Sequence, residues 1–406
     1  MKEVNLGKRL IPIILLLPWL SVNGTQIIAV LNEMSMGLGV SETSVKFIST
    51  MPNLTMIASS LLGGAIVGRR LSYKTHIMIS ALLMAASGTA PYLLNGFALI
   101  LISRGIFGFA MGFMSSVSSS IIFSYCPPEK RARLVGYGMT SIYVSTVVYT
   151  LIAGVMGNLG WRYVFLIHLP VLIPLVGVAV LLPKKLYGAA VDGVKSLGGS
   201  RTRFLGRLPA LCLFFILTSV KCNLFFPPAL LNMPFILAEM GIDSPSTSSI
   251  VISLNTVAAA VAGSLFGLFV RKLGRYVLPV AYGICAVGLF IAASASGLPQ
   301  LIIGSMVAGS GFATTSMAML VEVGTFVPKE NMGLFSGVNM AASCVGVFCA
   351  TPYVGLLARL GFKSSRTPLA VSGAGIVVLT CIILTYIIVS GRRAAAIASA
   401  DEPVTR

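Results

Sequence analysis

Acidic residues are scarce in this chain: 11 Asp and Glu among 406 residues, against 29 Lys and Arg. Charged residues of both signs make up only 10%, where soluble domains carry roughly 25%. So little charge cannot dress a water-facing surface, and an ordinary soluble domain is excluded. Histidine occurs twice, as His76 and His168, and both read as structural groups. The seven cysteines lie in or beside apolar runs, with no CxxC pair and no histidine at ligand spacing. That pattern excludes a zinc site and a disulfide framework. Nucleotide loops, metal clusters and nucleophile–base sets are also missing from the sequence, so neither enzyme chemistry nor a cofactor is expected.

What the chain has is apolar length. It is 56% hydrophobic, with a mean hydropathy of +0.94. About 20 apolar residues cross a bilayer as a helix, and hydropathy windows predict twelve such spans. Their limits are 10–31, 45–68, 75–95, 97–123, 134–157 and 163–182, then 209–232, 245–270, 276–297, 299–324, 333–357 and 367–390. The segment MKEVNLGKRLIPIILLLPWL has the basic start of a signal peptide, but its apolar run continues to Leu31 without a small-residue cleavage site. It reads as a retained first span.

The net charge of +18 points to topology rather than to nucleic acid, because the basic residues cluster between apolar runs. With the N-terminus inside, 22 of the 29 fall on the cytoplasmic side, including Arg69, Arg70, Lys74, the six between Lys184 and Arg207, and Arg271, Lys272 and Arg275. Five fall outside: Lys46, Arg162, Arg359, Lys363 and Arg366. Arg104 and Lys221 lie within spans. The positive-inside rule places both termini in the cytoplasm, and the tails carry no targeting signal, so the bacterial inner (cytoplasmic) membrane is the expected location. The short tails leave no room for a signalling domain, which argues against a membrane sensor.

The chain also repeats itself. SYCPPEKRARLVG (124–136) matches TFVPKENMGLFSG (325–337), with Pro127 over Pro328, Glu129 over Glu330 and Gly136 over Gly337. GGAIVGRRLSYK (63–74) matches FGLFVRKLGRYV (266–277), with Gly64 over Gly267 and Arg69 over Lys272. KRLIPI from Lys8 matches GRLPAL from Gly206. Offsets stay between 198 and 203, which divides the chain into halves 1–182 and 209–406 joined by a basic cytoplasmic loop, 183–208. Transporters are often built from such repeats.

With these features the sequence resembles the major facilitator superfamily of secondary transporters over essentially its whole length. The family's loop motif, roughly GxxxDRxGRR, is met by Gly64 and Arg69, while Gly68 stands at the usual Asp position and Arg271 takes that place in the second copy. Arg104 and Gly108 form the RGIFG fourth-span motif, and GWRYVFLIHLP (160–170) is similar to the passage between spans 5 and 6. TVVYTLIAGVMG (146–157) lacks the Gly-Pro antiporter motif. The resemblance implies an all-α membrane protein of twelve transmembrane helices in two six-helix pseudo-symmetric bundles. It also implies that spans 1, 4, 7 and 10 line the substrate path.

Those spans carry Asn23, Thr25 and Gln26; Arg104; Lys221 and Asn223; and Ser310, Thr314, Thr315 and Ser316, with Glu322 near the inner end of span 10. Lys221, in FILTSVKCNLFF (215–226), lies thirteen residues beyond Leu208, roughly 20 Å deep at 1.5 Å per residue. An embedded lysine costs about 2.5–3.5 kcal/mol on insertion scales. Arg104, about 10 Å from the outer end by the same rise, has room for partial snorkelling. No Asp or Glu lies mid-span; Glu33 and Glu322 sit near span ends. Two embedded cations without a counter-anion favour an anionic guest of carboxylate type, paired by Lys221 and Arg104, with Asn23, Gln26, Asn223 and Thr314 as further contacts. A lysine neutralised by burial is the rival account, making Lys221, like Glu322, a coupling candidate. A proton-coupled multidrug exporter is the alternative function.

Glycine pairs four apart, Gly64/Gly68, Gly108/Gly112 and Gly263/Gly267, allow close helix approach and a sliding surface. The gating set is Gly64, Gly68, Arg69, Arg70, Glu129, Gly267, Arg271, Lys272 and Glu330, with the loop cations pairing Glu129 or Glu330 or enforcing topology. The expected partners are a small-molecule substrate, a coupling proton or sodium ion and the lipid bilayer, with no nucleic acid and with function as a monomer.

Overall fold

The computed structural model describes residues 10–20, 24–66, 71–115, 117, 121, 125, 128–183, 186–187, 210–326, 332–362 and 364–400. Among them the chain is helical almost throughout, and eight helices are long and apolar enough to cross a membrane singly. The remaining spans are shorter or broken or, like Glu42–Ile66, less apolar. Span 1 is Leu10–Leu20 followed by a 3₁₀ segment, Gly24–Val30. Spans 2 to 5 are Glu42–Ile66, Tyr73–Thr89, Phe97–Ser115 and Pro128–Leu159. Span 6 opens as a 3₁₀ turn, Trp161–His168, and continues as Leu172–Leu181.

Span 7 is Ala210–Phe225 extended by Pro227–Leu231 and Met233–Glu239. Its breaks fall where Pro227, Pro228 and Pro234 remove backbone donors. It therefore runs seven residues past the predicted end at 232. Spans 8 to 12 are Pro245–Leu273, Val277–Ala293, Leu298–Phe326, Met332–Arg359 and Thr367–Ala400. Local sequence sets the ends. Ser244 caps span 8 by accepting from the Thr247 N–H, with Pro245 at the first turn, a preferred start. Gly274 closes that span at φ +51, a conformation open to glycine.

An even number of spans returns the chain to its starting side. We call the opposite side distal; it carries the turns near residues 40, 160, 243 and 361. Within the N-terminal half, spans 2 and 4 touch backbone to backbone. A Cβ on Gly108 would lie 2.1 Å from Pro52 O, and one on Gly112 2.7 Å from Met56 O. This agrees with the close approach expected at that pair. Gly267 does not: nothing lies within 4 Å of its Cβ position, while Gly263 meets only the flexible end of Met317 at 2.7 Å. Close contact in the C-terminal half is made instead by spans 9 and 10, through Gly288 against Ala308 N at 2.2 Å and Gly311 against Cys285 N at 2.4 Å. Spacing reveals small residues on one face, but not which face meets a neighbour.

Buried polar groups fasten these contacts, since an unpaired one is costly. Thr55 Oγ1 donates to Gly105 O at 2.7 Å, and Asn255 Nδ2 to Ser305 O at 2.6 Å. His76 donates from Nε2 to Phe113 O at 2.6 Å and stacks on the Phe113 ring, a structural arrangement.

Candidate functional site

Lys221 lies in Ala210–Phe225, whose buried face carries Thr218, Ser219 and Cys222. Leu217 and Lys221, one turn apart, lie on the exposed face. The ammonium has no ion pair among the described residues. Asn223 does not share that freedom. Its Nδ2 donates to Ser219 O at 2.9 Å, and its Cβ lies 2.8 Å from the Cβ position of Gly346 on span 11. Ser219 meets Ser343 at 3.1 Å. Span 7 is thus held against span 11 by small and polar groups, leaving Lys221 projecting from the far side of the helix.

Arg104 is the opposite case. It is 0% exposed, so it does not snorkel, and the depth argument misjudged it. Nε donates to Ile48 O at 3.2 Å, and the guanidinium lies 4.3 Å over the Phe107 ring. Phe107 also packs edge-on against His168, which donates from Nδ1 to Phe165 O at 2.9 Å. Both terminal nitrogens, Nη1 and Nη2, are buried without a hydrogen-bond partner. The Gly24 Cβ position is only 3.1 Å from Nη2, so spans 1 and 2 cover the group. Gln26, on the same 3₁₀ segment as Gly24, is 1% exposed with both amide atoms unpaired.

Thr314 turns its hydroxyl back to Ser310 O at 2.8 Å. Asn23, Gly68, Arg69, Arg70 and Glu330 lie outside the described residues, as do the side chains of Glu129 and Glu322 and the surroundings of Gly64. Arg271 and Lys272 are exposed in the last turn of span 8.

The residue missed at the sequence level is Lys46. Assigned there to the outside charges, it is 2% exposed in the second turn of span 2. Its Nζ donates to Asn232 Oδ1 of the other half at 2.7 Å, lies 3.7 Å from Glu42 Oε2 and sits 4.4 Å over the Phe235 ring. Other bonds follow the same seam. Thr50 and Thr351 hydroxyls meet at 2.9 Å, Asn158 Nδ2 donates to Ser246 at 2.7 Å, and Asn32 Nδ2 donates to Asp243 at 3.0 Å. Phe47 packs on Phe348. Gly154 and Gly157 of span 5 face Ser249 and Pro245 of span 8, and Gly355 faces Thr43.

All these contacts lie toward the distal ends of spans 2, 5, 7, 8 and 11 or in the distal connections beside them. The distal side is therefore closed. Replacing Lys46 by Met removes the donor and leaves Asn232 Oδ1 buried without a partner, a loss of about 1–3 kcal/mol. The closed state should then lose roughly five- to 150-fold in population, read as a longer distance between spin labels placed across the seam.

The comparisons agree with this architecture. The family model of the Major Facilitator Superfamily matches residues 14–351, and the chain belongs to that family. Its fold is similar to the crystal structure of a mutant of the nucleoside transporter NupG, with a TM-score of 0.72 at 15% identity, covering 94% of this chain and 99% of that one. A bacterial homologue of the human lysosomal transporter Spinster, in an inward-facing and occupied conformation, matches with a TM-score of 0.74 at 13% identity, covering 93% and 95%. A D-xylose-proton symporter matches with 0.71 at 16%, covering 92% and 96%. The protein is a multi-pass secondary transporter with twelve helices in two bundles.

Proposed function

We propose that the protein moves a small organic anion of carboxylate type across the cytoplasmic membrane, with both termini inside, by rocker-switch alternating access. The observation that carries this reading is Lys221: a mid-span ammonium on an exposed helix face, with no ion pair among the described residues. A lysine at that depth does not face lipid without a large penalty; such groups face a bundle interior or a water-filled cavity. A cavity-facing cation without a fixed counter-ion attracts an anion, and a carboxylate completes the pair by a charge-assisted hydrogen bond.

The closed distal seam supports a cavity reached from the side of the termini. Substrate entering there meets Lys221 first. Arg104, bonded through Nε to Ile48 and covered at Nη2 by Gly24 of span 1, becomes available to an anion only when span 1 shifts as the distal side opens. The two cations then act in different states, Lys221 before the switch and Arg104 after it. Asn23, Gln26, Asn223 and Thr314 remain candidate contacts for the rest of the substrate. Lys221 and Glu322 remain coupling candidates, with a proton or sodium ion as the driving species. Arg69, Arg70, Glu129, Arg271, Lys272 and Glu330, with Gly64, Gly68 and Gly267, belong to the proximal gate in this reading.

Counterflow into proteoliposomes, driven by a panel of small carboxylates, tests the assignment. Lys221→Gln should weaken the preferred anion about 30-fold or more, the effect of truncating one partner of a buried charge pair. Wild-type counterflow in that variant would sink the reading, and uptake of lipophilic cations instead would promote a drug exporter.

A further inference from the structure

We propose that Glu33, with Asp243 of the other half, forms a proton-operated latch on the distal seam: a proton held on Glu33 favours closure, and its loss favours opening. The two carboxylates belong to different halves. Glu33 sits in the short helix Leu31–Leu38, beyond the end of span 1; Asp243 lies in the turn before span 8. The neighbouring Asn32 bonds directly to Asp243 Oδ1 at 3.0 Å, which holds the helix against the other half. Glu33 Oε2 is buried there without a hydrogen-bond partner, the environment that penalises a carboxylate most.

The surrounding charges do not relieve it. The helix packs on span 2, on the 3₁₀ segments of spans 1 and 6 and on Met233–Glu239. Span 2 presents Glu42 and Lys46, and Lys46 is committed to Asn232 and Glu42. The 3₁₀ segment of span 1, GTQIIAV, has no charge. That of span 6 carries Arg162, bonded to Leu94 O at 2.8 Å and Asn95 at 2.9 Å, and His168, bonded to Phe165 O. Glu239 accepts from Ser365 N and pairs with Arg366. Asp243 is left as the charge acting on Glu33, and it repels.

Burial raises the Glu33 carboxyl from 4.5 to about 7, opposed by a hydrogen bond from its own backbone and aided by the repulsion of Asp243. Opening the seam hydrates Glu33 and takes Asp243 away, returning it toward the ordinary value. The closed state therefore binds the proton more tightly. Between about 4.5 and 7, closing takes up a proton, so falling pH favours closure by up to tenfold per pH unit. Above about 7 both states are ionised, and closure carries the full repulsion. Closing from the distal side would thus capture a proton from that side, whichever substrate is carried.

The test uses the full chain in nanodiscs, with native cysteines replaced and spin labels at Met36→Cys and Leu360→Cys, two exposed positions on opposite halves. Without substrate, the short-distance population should grow as pH falls from 8 to 5. Glu33→Gln should hold it high at both pH values. Asp243→Asn should move the midpoint to lower pH, and decides the matter alone if Glu33→Gln does not accumulate. A pH-independent wild type, an unchanged titration in Glu33→Gln or an unchanged midpoint in Asp243→Asn would overturn the latch. None of these outcomes depends on the anion assignment at Lys221.

Discussion

Tryptophan in place of Gly154 leaves the protein folded and stops transport. The position lies on span 5 at the seam, where even a Cβ would sit 1.9 Å from Ser249 Oγ and 3.1 Å from Pro245 O. An indole there keeps spans 5 and 8 apart on the distal side. The clash belongs to the closed state alone, since opening moves the two halves away from each other. Overpacking of about 3 kcal/mol shifts the equilibrium roughly 100-fold toward the open state. Counterflow should fall by that factor, while the purified variant remains monodisperse and labels across the seam report the longer distance. Gly157 is a poorer wedge at the same seam, because its Cβ position lies 2.6 Å from Val30 Cγ1 of its own half as well as 2.7 Å from Pro245 Cβ of the other.

Leucine in place of Gly108 gives the contrasting result. Here the neighbours are Pro52 O at 2.1 Å, Pro52 Cα at 2.3 Å and Thr55 Oγ1 at 2.5 Å, all within one half. Two of the three are backbone atoms, which cannot turn aside, and displacing Thr55 also breaks its bond to Gly105 O. Neither state of the transport cycle relieves the contact, because spans 2 and 4 travel together. The cost exceeds about 3 kcal/mol, and the variant should fail to yield a monodisperse peak in detergent. The same mutation type thus separates a moving interface from a fixed one.

Much of the fold was legible because hydropathy, basic clusters and the 200-residue repeat all depend on chain-local patterns. Most span limits follow the predicted ones to within a few residues, but span 5 begins six residues early and spans 7 and 12 end seven and ten residues late. In span 7 the hydropathy window stops at 232, yet the helix continues, with Pro227 and Pro228 and then Pro234 in the first turn of new segments, where a missing donor costs little. The site was less legible. Lys46 was misplaced because one charge near a span end looks like a loop residue; its partner Asn232 is 186 positions away. Gly154 and Gly157 were passed over because they are three apart and share no four-residue spacing with other glycines. Glu33 was noted only for its place near a span end, since the influence of Asp243 on it exists only in the folded seam.

Lys221 and Arg104, by contrast, stood out because a charge within an apolar run is conspicuous whatever the fold. What the sequence could not tell is that one is exposed and the other sealed. In the proposed mechanism that difference lets two similar cations serve different states. The central claim is that an anion binds at Lys221, and ligand-induced thermal stabilisation of the purified protein tests it most directly. A ligand that binds the folded state raises its melting temperature by mass action. Small carboxylates should stabilise the wild type, and Lys221→Ala should lose that stabilisation while keeping its ligand-free melting temperature. Equal stabilisation of both proteins by carboxylates, or stabilisation by lipophilic cations alone, would contradict the account.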